Sequence, residues 1–241
     1  MSRIFLTGDI HGSMSISKLS SKLFKEGKNL TKDDYVIILG DFGLLWKDYP
    51  DAHEIFWRTW LDNKPWTTLV VDGNHENHQR INNLIQVNKF GTKIKKLSES
   101  IFFLNRGEVY TINNKKFFVM GGAYSIDKKN RTPYVSWWYE EIPTVEQFET
   151  GLKNLEKNQW DIDYILGHTA PLSIIKEYAK SGIIKYDLSE KYDSVSKYFD
   201  SVIKLTNFKR FFFGHFHDEW SYIDNLDREY IMLFNDIIEL D

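Results

Sequence analysis

An α/β fold built on a mainly parallel sheet is what the first third of this chain predicts, and three observations carry it. Short apolar runs alternate with segments of helical period, the alternation reads βαβαβ, and polar residues stand directly behind the apolar runs instead of inside them. Parallel strands buried on both faces are written as continuous apolar runs, and their carboxyl ends share one edge where ligands bind.

The elements follow in order. Ile4–Thr7 reads as a strand, and Ile16, Leu19, Leu23 and Phe24 recur as one face of a helix ending near Gly27. Strand Tyr35–Leu39, a helix carrying Ile55, Phe56 and Trp60, and strand Thr68–Val71 come next. In the middle, Ile101–Leu104, Glu108–Ile112 and Lys116–Met120 lie close together, with Asn113-Asn114 as a hairpin turn between the last two. Thr144-Val-Glu-Gln147 has the pattern of a capping box and opens a helix with Phe148, Leu152 and Leu155 on one face. Strand Tyr164–Leu166, a helix across Val195, Phe199, Val202 and Ile203, strand Phe211–Phe213, and strands near Trp220–Ile223 and Tyr230–Phe234 complete the chain.

The chain has 241 residues, 42% of them hydrophobic, so residues 1–241 can share one core, and neither a repeat nor a linker divides them. One domain is expected. Lys and Arg number 31 against 34 Asp and Glu, a formal charge of -3, which gives no support to an extended nucleic-acid surface. Cysteine is absent, so a metal would be held by imidazole, carboxylate, amide or water. The apolar run Ile4-Phe5-Leu6 is interrupted by Gly8 and Asp9, too early for a signal peptide, and no later run is long enough to cross a bilayer. A cytoplasmic protein with no membrane partner is expected, of open oligomeric state.

Five strands end in glycine followed by metal-ligand residue types: Gly8-Asp9-Ile10-His11-Gly12, Gly40-Asp41, Gly73-Asn74-His75-Glu76, Gly167-His168 and Gly214-His215-Phe216-His217. Taken singly, each has an ordinary reading: a Gly-Asp turn, or a helix cap by Asn74 with Glu76 in the first turn. Taken together they use five of the seven histidines, each behind a strand. Two aspartates, one amide and several imidazoles exceed what one catalytic metal takes and suit two metals sharing a carboxylate. In Asp9-x-His11 and His215-x-His217, an extended chain would point both side chains of each pair to the same side.

With these blocks the sequence resembles the calcineurin-like metallophosphoesterase superfamily, whose pattern is Gly-Asp-x-His, Gly-Asp, Gly-Asn-His-[Glu/Asp], Gly-His and Gly-His-x-His. The resemblance implies a four-layer α-β-β-α sandwich of two mixed β-sheets. It implies that Asp9, His11 and His217 hold one divalent ion, that Asn74, His168 and His215 hold the other, and that Asp41 bridges them. His75 would be the catalytic acid and, with Asn74, would contact the substrate phosphate, while Glu76 orients backbone or His75. The implied activity is hydrolysis of a phosphate ester, phosphatase or phosphodiesterase, by a metal-bridging hydroxide. A non-catalytic metal-binding scaffold of the same fold is the alternative. Ligands without sulfur suit Mn, Fe, Zn, Co or Ni, and Mn is favoured.

One block departs from the protein Ser/Thr phosphatases, which continue the second motif as Gly-Asp-x-Val-Asp-Arg-Gly. Here it is Gly40-Asp41-Phe42-Gly43-Leu44-Leu45-Trp46, so the acid that orients the catalytic histidine and the arginine that grips phosphate are missing. Arg131 is the candidate replacement for that arginine. The aromatic stretch Tyr134-Val-Ser-Trp137-Trp138-Tyr139 either packs on the sheet, the preferred reading, or stacks a nucleotide-like substrate. His53 is expected at the surface, His78 at the rim of the site, and Lys93–Lys96 on a solvated face.

Overall fold

In a computed structural model, which describes residues 2–182 and 193–240, the chain forms β1 (Ile4–Thr7), β2 (Tyr35–Leu39), α1 (Ala52–Asp62), β3 (Thr67–Val71), α2 (His78–Asn82), β4 (Ile85–Lys89), β5 (Thr92–Lys96) and β6 (Ile101–Phe103). It continues through β7 (Val109–Ile112), β8 (Lys115–Met120), α3 (Val145–Lys157), β9 (Tyr164–Gly167), α4 (Leu172–Lys180), α5 (Ser194–Leu205), β10 (Arg210–Phe213), β11 (Trp220–Ile223), β12 (Glu229–Met232) and β13 (Ile237–Leu240). One sheet has the order β13-β1-β2-β3-β6-β5-β4 and the other β11-β12-β10-β9-β8-β7.

Both sheets are mixed. β1, β2, β3 and β6 run parallel in the first, and β8, β9, β10 and β12 in the second. The remaining pairs are antiparallel. Side-chain alternation assigns the layers. Leu6, Ile37, Leu69, Val119, Leu166 and Phe212 meet in one cluster between the sheets. Their strand neighbours Phe5, Val36 and Val70 turn the other way and pack with Leu61 of α1. On the far side, Phe118, Ile165, Phe211 and Phe213 pack under Leu155, Ile174, Val195 and Phe199 of α3, α4 and α5. The result is the four-layer α-β-β-α sandwich.

Local chemistry explains several boundaries. The turn at Asn113-Asn114 has φ of 53° and 61°, the left-handed pair of a tight hairpin. At the start of α3 the Thr144 hydroxyl accepts from the Gln147 N–H at 3.3 Å and the Gln147 side chain accepts from the Thr144 N–H at 3.0 Å, completing the capping box.

Several features differ from, or add to, what the sequence suggests. Residues 16–24 do not form a helix: they hold a 3₁₀ turn at Ile16–Leu19, after which Ser20 is extended at φ -72° and ψ 153°. Ile16, Leu19 and Phe24 still reach the core, but Leu23 is exposed. Serine-rich backbone has hydrogen-bonding alternatives to helix, and packing of three apolar side chains does not require one. In α1, Ile55 and Phe56 face outward, while Glu54 is buried in an ion pair with Arg80 at 2.6 Å. Lys93–Lys96 lies within β5, with Ile94 fully buried between its lysines. The pairs β4–β5 and β1–β13 are additional: β4 and β5 are largely polar, and β13 is an edge strand of four residues, too short to show a period.

Candidate metal centre

The carboxyl ends of β1, β2, β3, β9 and β10 carry the five glycine-initiated turns to one place. The glycines serve close approach. A Cβ on Gly40 would overlap the His168 ring, and one on Gly214 would overlap the Asp9 carboxylate. The turns themselves are left-handed at His11 (φ 43°), Asp41 (44°), His215 (71°) and His217 (55°). This corrects the extended Asp-x-His and His-x-His geometry: the backbone bends at these residues, and the bend aims the side chains. A non-glycine residue held there costs on the order of 1 kcal/mol or more, and such strain clusters at functional sites.

Two groups of donors result. Asp9, His11, Asp41 and His217 each offer an atom, all within 4.8 Å of one another. In the second group, His168 Nε2 lies 3.0 Å from Asn74 Oδ1 and 3.2 Å from Asp41 Oδ1, and the His215 ring meets the His168 ring at 4.9 Å. Asp41 belongs to both groups: its Oδ2 is 3.6 Å from His11 Nε2.

Backbone and carbonyl partners fix which atoms point inward. The Asp9 Oδ1 accepts from the His215 N–H at 3.0 Å, and Asp41 Oδ1 from the His75 N–H at 2.8 Å. His168 Nδ1 lies 2.8 Å from the Leu39 carbonyl oxygen, which can only accept, so Nδ1 donates there and Nε2 is the ring nitrogen left facing Asn74 Oδ1 and Asp41 Oδ1. Two further groups hold the frame: Glu76 accepts from the N–H groups of Phe42 at 2.6 Å and Gly43 at 3.2 Å, and buried Lys18 donates to the carbonyls of Gly8, Asp9 and Phe234. Glu76 therefore orients backbone.

The electrostatics favour added positive charge. Burial alone would raise the Asp9 and Asp41 carboxyls, yet the surrounding imidazoles hold both below the ordinary range. Burial would lower His168, but Asp41 and Asp9 override it and raise the imidazole to about 10. His215 is pushed down to about 3, first by desolvation and then by the neighbouring His168. Asp9 Oδ2 is buried with no well-formed hydrogen bond, while His217 Nε2 at 3.1 Å and His11 Nε2 at 3.6 Å stand around it. An orphaned carboxylate oxygen among imidazole nitrogens is what a divalent cation would complete, so these residues fit one.

His75 lies on the rim of this cluster, its Nε2 4.0 Å from Asp41 Oδ2 and its ring stacked on Trp46 at 6.0 Å. Arg131, far away in sequence, reaches it: Nη1 is 3.1 Å from His75 Nδ1 and Nη2 3.4 Å from Nε2. Asp127 grips the same guanidinium at 2.8 and 2.7 Å. The cleft opens on both sides of His75. One lobe of about 500 Å³ is lined by His11, Met14, Trp46 and Arg131, and one of about 300 Å³ by Asn74, Ser125, Ile126 and Phe216.

Trp137 and Trp138 are buried, with Trp138 meeting Trp46 edge-on at 5.1 Å, so they pack instead of standing in the cleft. His53 is exposed. His78 is not on the rim but buried beside Asp72 and Arg106, because α2 turns its first residue inward. Sequence reasoning passed over Lys18, Ser125 and Glu141. Ser125 had a signal: β8 runs parallel to β9 and ends in Gly121-Gly122-Ala-Tyr-Ser125, a sixth strand end on the same edge.

A two-sheet α/β sandwich whose strand ends gather carboxylates and imidazoles at one edge is the architecture of a metal-dependent phosphoester hydrolase. The family model described as calcineurin-like phosphoesterase matches residues 2–219, and the chain belongs to that family. Among solved structures it is similar in fold to the phosphopantetheinyl hydrolase PptH from Mycobacterium tuberculosis, with a TM-score of 0.54 and 16% identity over 97% of this chain and 89% of that one. No curated protein sequence matches the chain. Among the described residues no helix is long and apolar enough to cross a membrane.

Proposed function

We propose that the protein is a binuclear metal-dependent hydrolase of phosphate esters. Asp9, His11 and His217 would hold one ion, and Asn74, His168 and His215 the other, with Asp41 shared. The observation that carries this reading is the position of Asp41, with Oδ1 3.2 Å from His168 Nε2 and Oδ2 3.6 Å from His11 Nε2. Two divalent ions there would neutralise phosphate oxygens and lower the pKa of a bound water enough to supply the nucleophile near neutral pH. Mn is the first metal to test, because the donor set is nitrogen and oxygen without sulfur.

The chain's own residues supply the rest. His75 gives a proton to the leaving oxygen. Burial and the Arg131 cation lower its pKa, which makes that proton easier to release, and an incoming phosphate offsets the lowering by its negative charge. Arg131, held by Asp127, grips a phosphate oxygen and stands in for the arginine missing after Asp41. The two lobes on either side of His75 favour a diester, one substituent in each, over a monoester.

The test is the metal-dependent rate on a bis-aryl phosphate diester against an aryl phosphate monoester, with Mn²⁺ added to metal-stripped protein. Faster turnover of the diester is expected. Faster turnover of the monoester would overturn the diester reading, and failure to hydrolyse either with any divalent ion would favour the non-catalytic scaffold.

A further inference from the structure

Asn74 can present either end of its amide to the metal centre, and only the oxygen end is a ligand. Nothing in the Asn74 side chain decides between them. His168 Nε2 meets the oxygen end, and the loop after β8 holds the nitrogen end. Asn74 Nδ2 donates to Ser125 Oγ at 2.9 Å, and the Ser125 hydroxyl donates to Glu141 Oε2 at 2.6 Å. The Ser125 N–H donates to Glu141 Oε1 at 3.1 Å. All three side chains are shut away from water, with exposures of 3% for Asn74, 2% for Ser125 and 0% for Glu141. Asn74 Oδ1 is thereby turned to His168 Nε2 at 3.0 Å.

The chain of donors has one direction. A carboxylate can only accept, so it takes the single hydroxyl proton of Ser125, and Oγ is left able only to accept. The amide group facing it must then be the NH₂. We propose that Ser125 and Glu141 are positioning residues that set the orientation of the Asn74 amide, and so the occupancy of the metal site that contains it. This rests on the reading of Asn74 as a metal ligand. It also ties the loop that brings Arg131 to His75 directly to the metal centre, since Ser125 and Glu141 bracket that loop.

The polarity gives a test with an unusual sign. In Glu141→Gln, the amide oxygen would keep the Ser125 N–H bond while its NH₂ faces Ser125 Oγ and donates to it. The Ser125 hydroxyl is then free to donate toward residue 74, which turns the Asn74 NH₂ to the metal. Mn²⁺ binding to metal-stripped protein, measured by electron paramagnetic resonance and by stoichiometry after gel filtration, should weaken by about 10- to 100-fold at one site in Glu141→Gln and Ser125→Ala. Adding Asn74→Asp to Glu141→Gln should restore it, because a carboxylate accepts the reversed hydroxyl and still offers oxygen to the metal.

Thermal melting of the metal-free proteins separates folding from binding, and Asn74→Ala is the reference. If Asn74→Ala binds two Mn²⁺ as tightly as the native chain, the ligand reading itself fails. If Asn74→Ala loses a metal while well-folded Glu141→Gln and Ser125→Ala keep both, the positioning role is overturned. The same holds if the double variant binds no better than Glu141→Gln.

Discussion

Arg131 lies against His75, its two terminal nitrogens 3.1 and 3.4 Å from the two ring nitrogens. An arginine 56 positions along the chain thus flanks His75, whose other charged neighbour is Asp41 at 4.0 Å. The guanidinium and Asp127 form a two-bond pair, which holds the cation at that place and orientation.

Removing this cation has two expected effects. Arg131→Ala should raise kcat/KM loss to about 10- to 100-fold through lost phosphate contact, and Arg131→Lys should recover little, since an ammonium cannot reproduce the fork. Because Arg131 is one of the groups lowering His75, its loss should let the His75 pKa rise. The alkaline limb of the pH–rate profile, where the acid loses its proton, should therefore move to higher pH in Arg131→Ala.

His75 and Asp41 should separate chemistry from metal binding. His75→Ala is expected to reduce kcat by about 10²- to 10⁴-fold on an ester with a poor leaving group while metal content stays near native. Asp41→Ala should lose both, because its two oxygens face both donor groups. Metal analysis beside steady-state kinetics checks the pair. A metal-replete His75→Ala enzyme of native activity would remove the acid role.

Gly40 has φ 98° and no space for a Cβ, which would meet the His168 ring. Gly40→Ala should therefore destabilise the fold by about 1–3 kcal/mol and displace His168. Denaturant unfolding of the metal-free protein reads the first effect and Mn²⁺ stoichiometry the second. Gly91→Ala is the control: its φ of 89° is also left-handed but its surroundings are open, so it should cost strain without metal loss.

His78 is buried beside Asp72 and Arg106, and burial lowers its pKa below 6.5. Above pH 6.5 it is neutral in folded and unfolded chains alike, so its contribution to stability is complete. As pH falls from there toward the folded pKa, the unfolded chain takes up a proton that the folded one refuses, and stability drops by up to about 1.4 kcal/mol per pH unit. A His78→Asn variant should lose this part of the acid-induced destabilisation. Identical pH slopes for both proteins would contradict it.

Much of the frame was legible because its rules are local. The apolar runs of β1, β2, β3, β9 and β10 are buried on both faces, so each is continuous and each ends where polar ligand residues begin. The Asn113-Asn114 hairpin and the capping box at Thr144 were readable for the same reason, as their chemistry lies within a few residues. The stretch from Ile16 to Phe24 was misread because three buried side chains satisfy a helical spacing without a helical backbone. Strands β4, β5 and β13 were missed because β4 and β5 are largely polar and β13, at the edge of its sheet, has only four residues.

The family, the α/β class and the strand-end donors are written in the amino-acid order, since glycine followed by Asp, Asn or His behind a buried strand is a local, ordered signal. Tertiary packing sets how those donors are aimed: left-handed turns at His11, Asp41, His215 and His217 replace the extended geometry the spacing suggested. It also decided that Arg131 meets His75 and that Ser125 and Glu141 stand behind Asn74. Those contacts join residues far apart in the chain, and their partners are selected by which loops the two packed sheets bring to one edge, a property of no single segment.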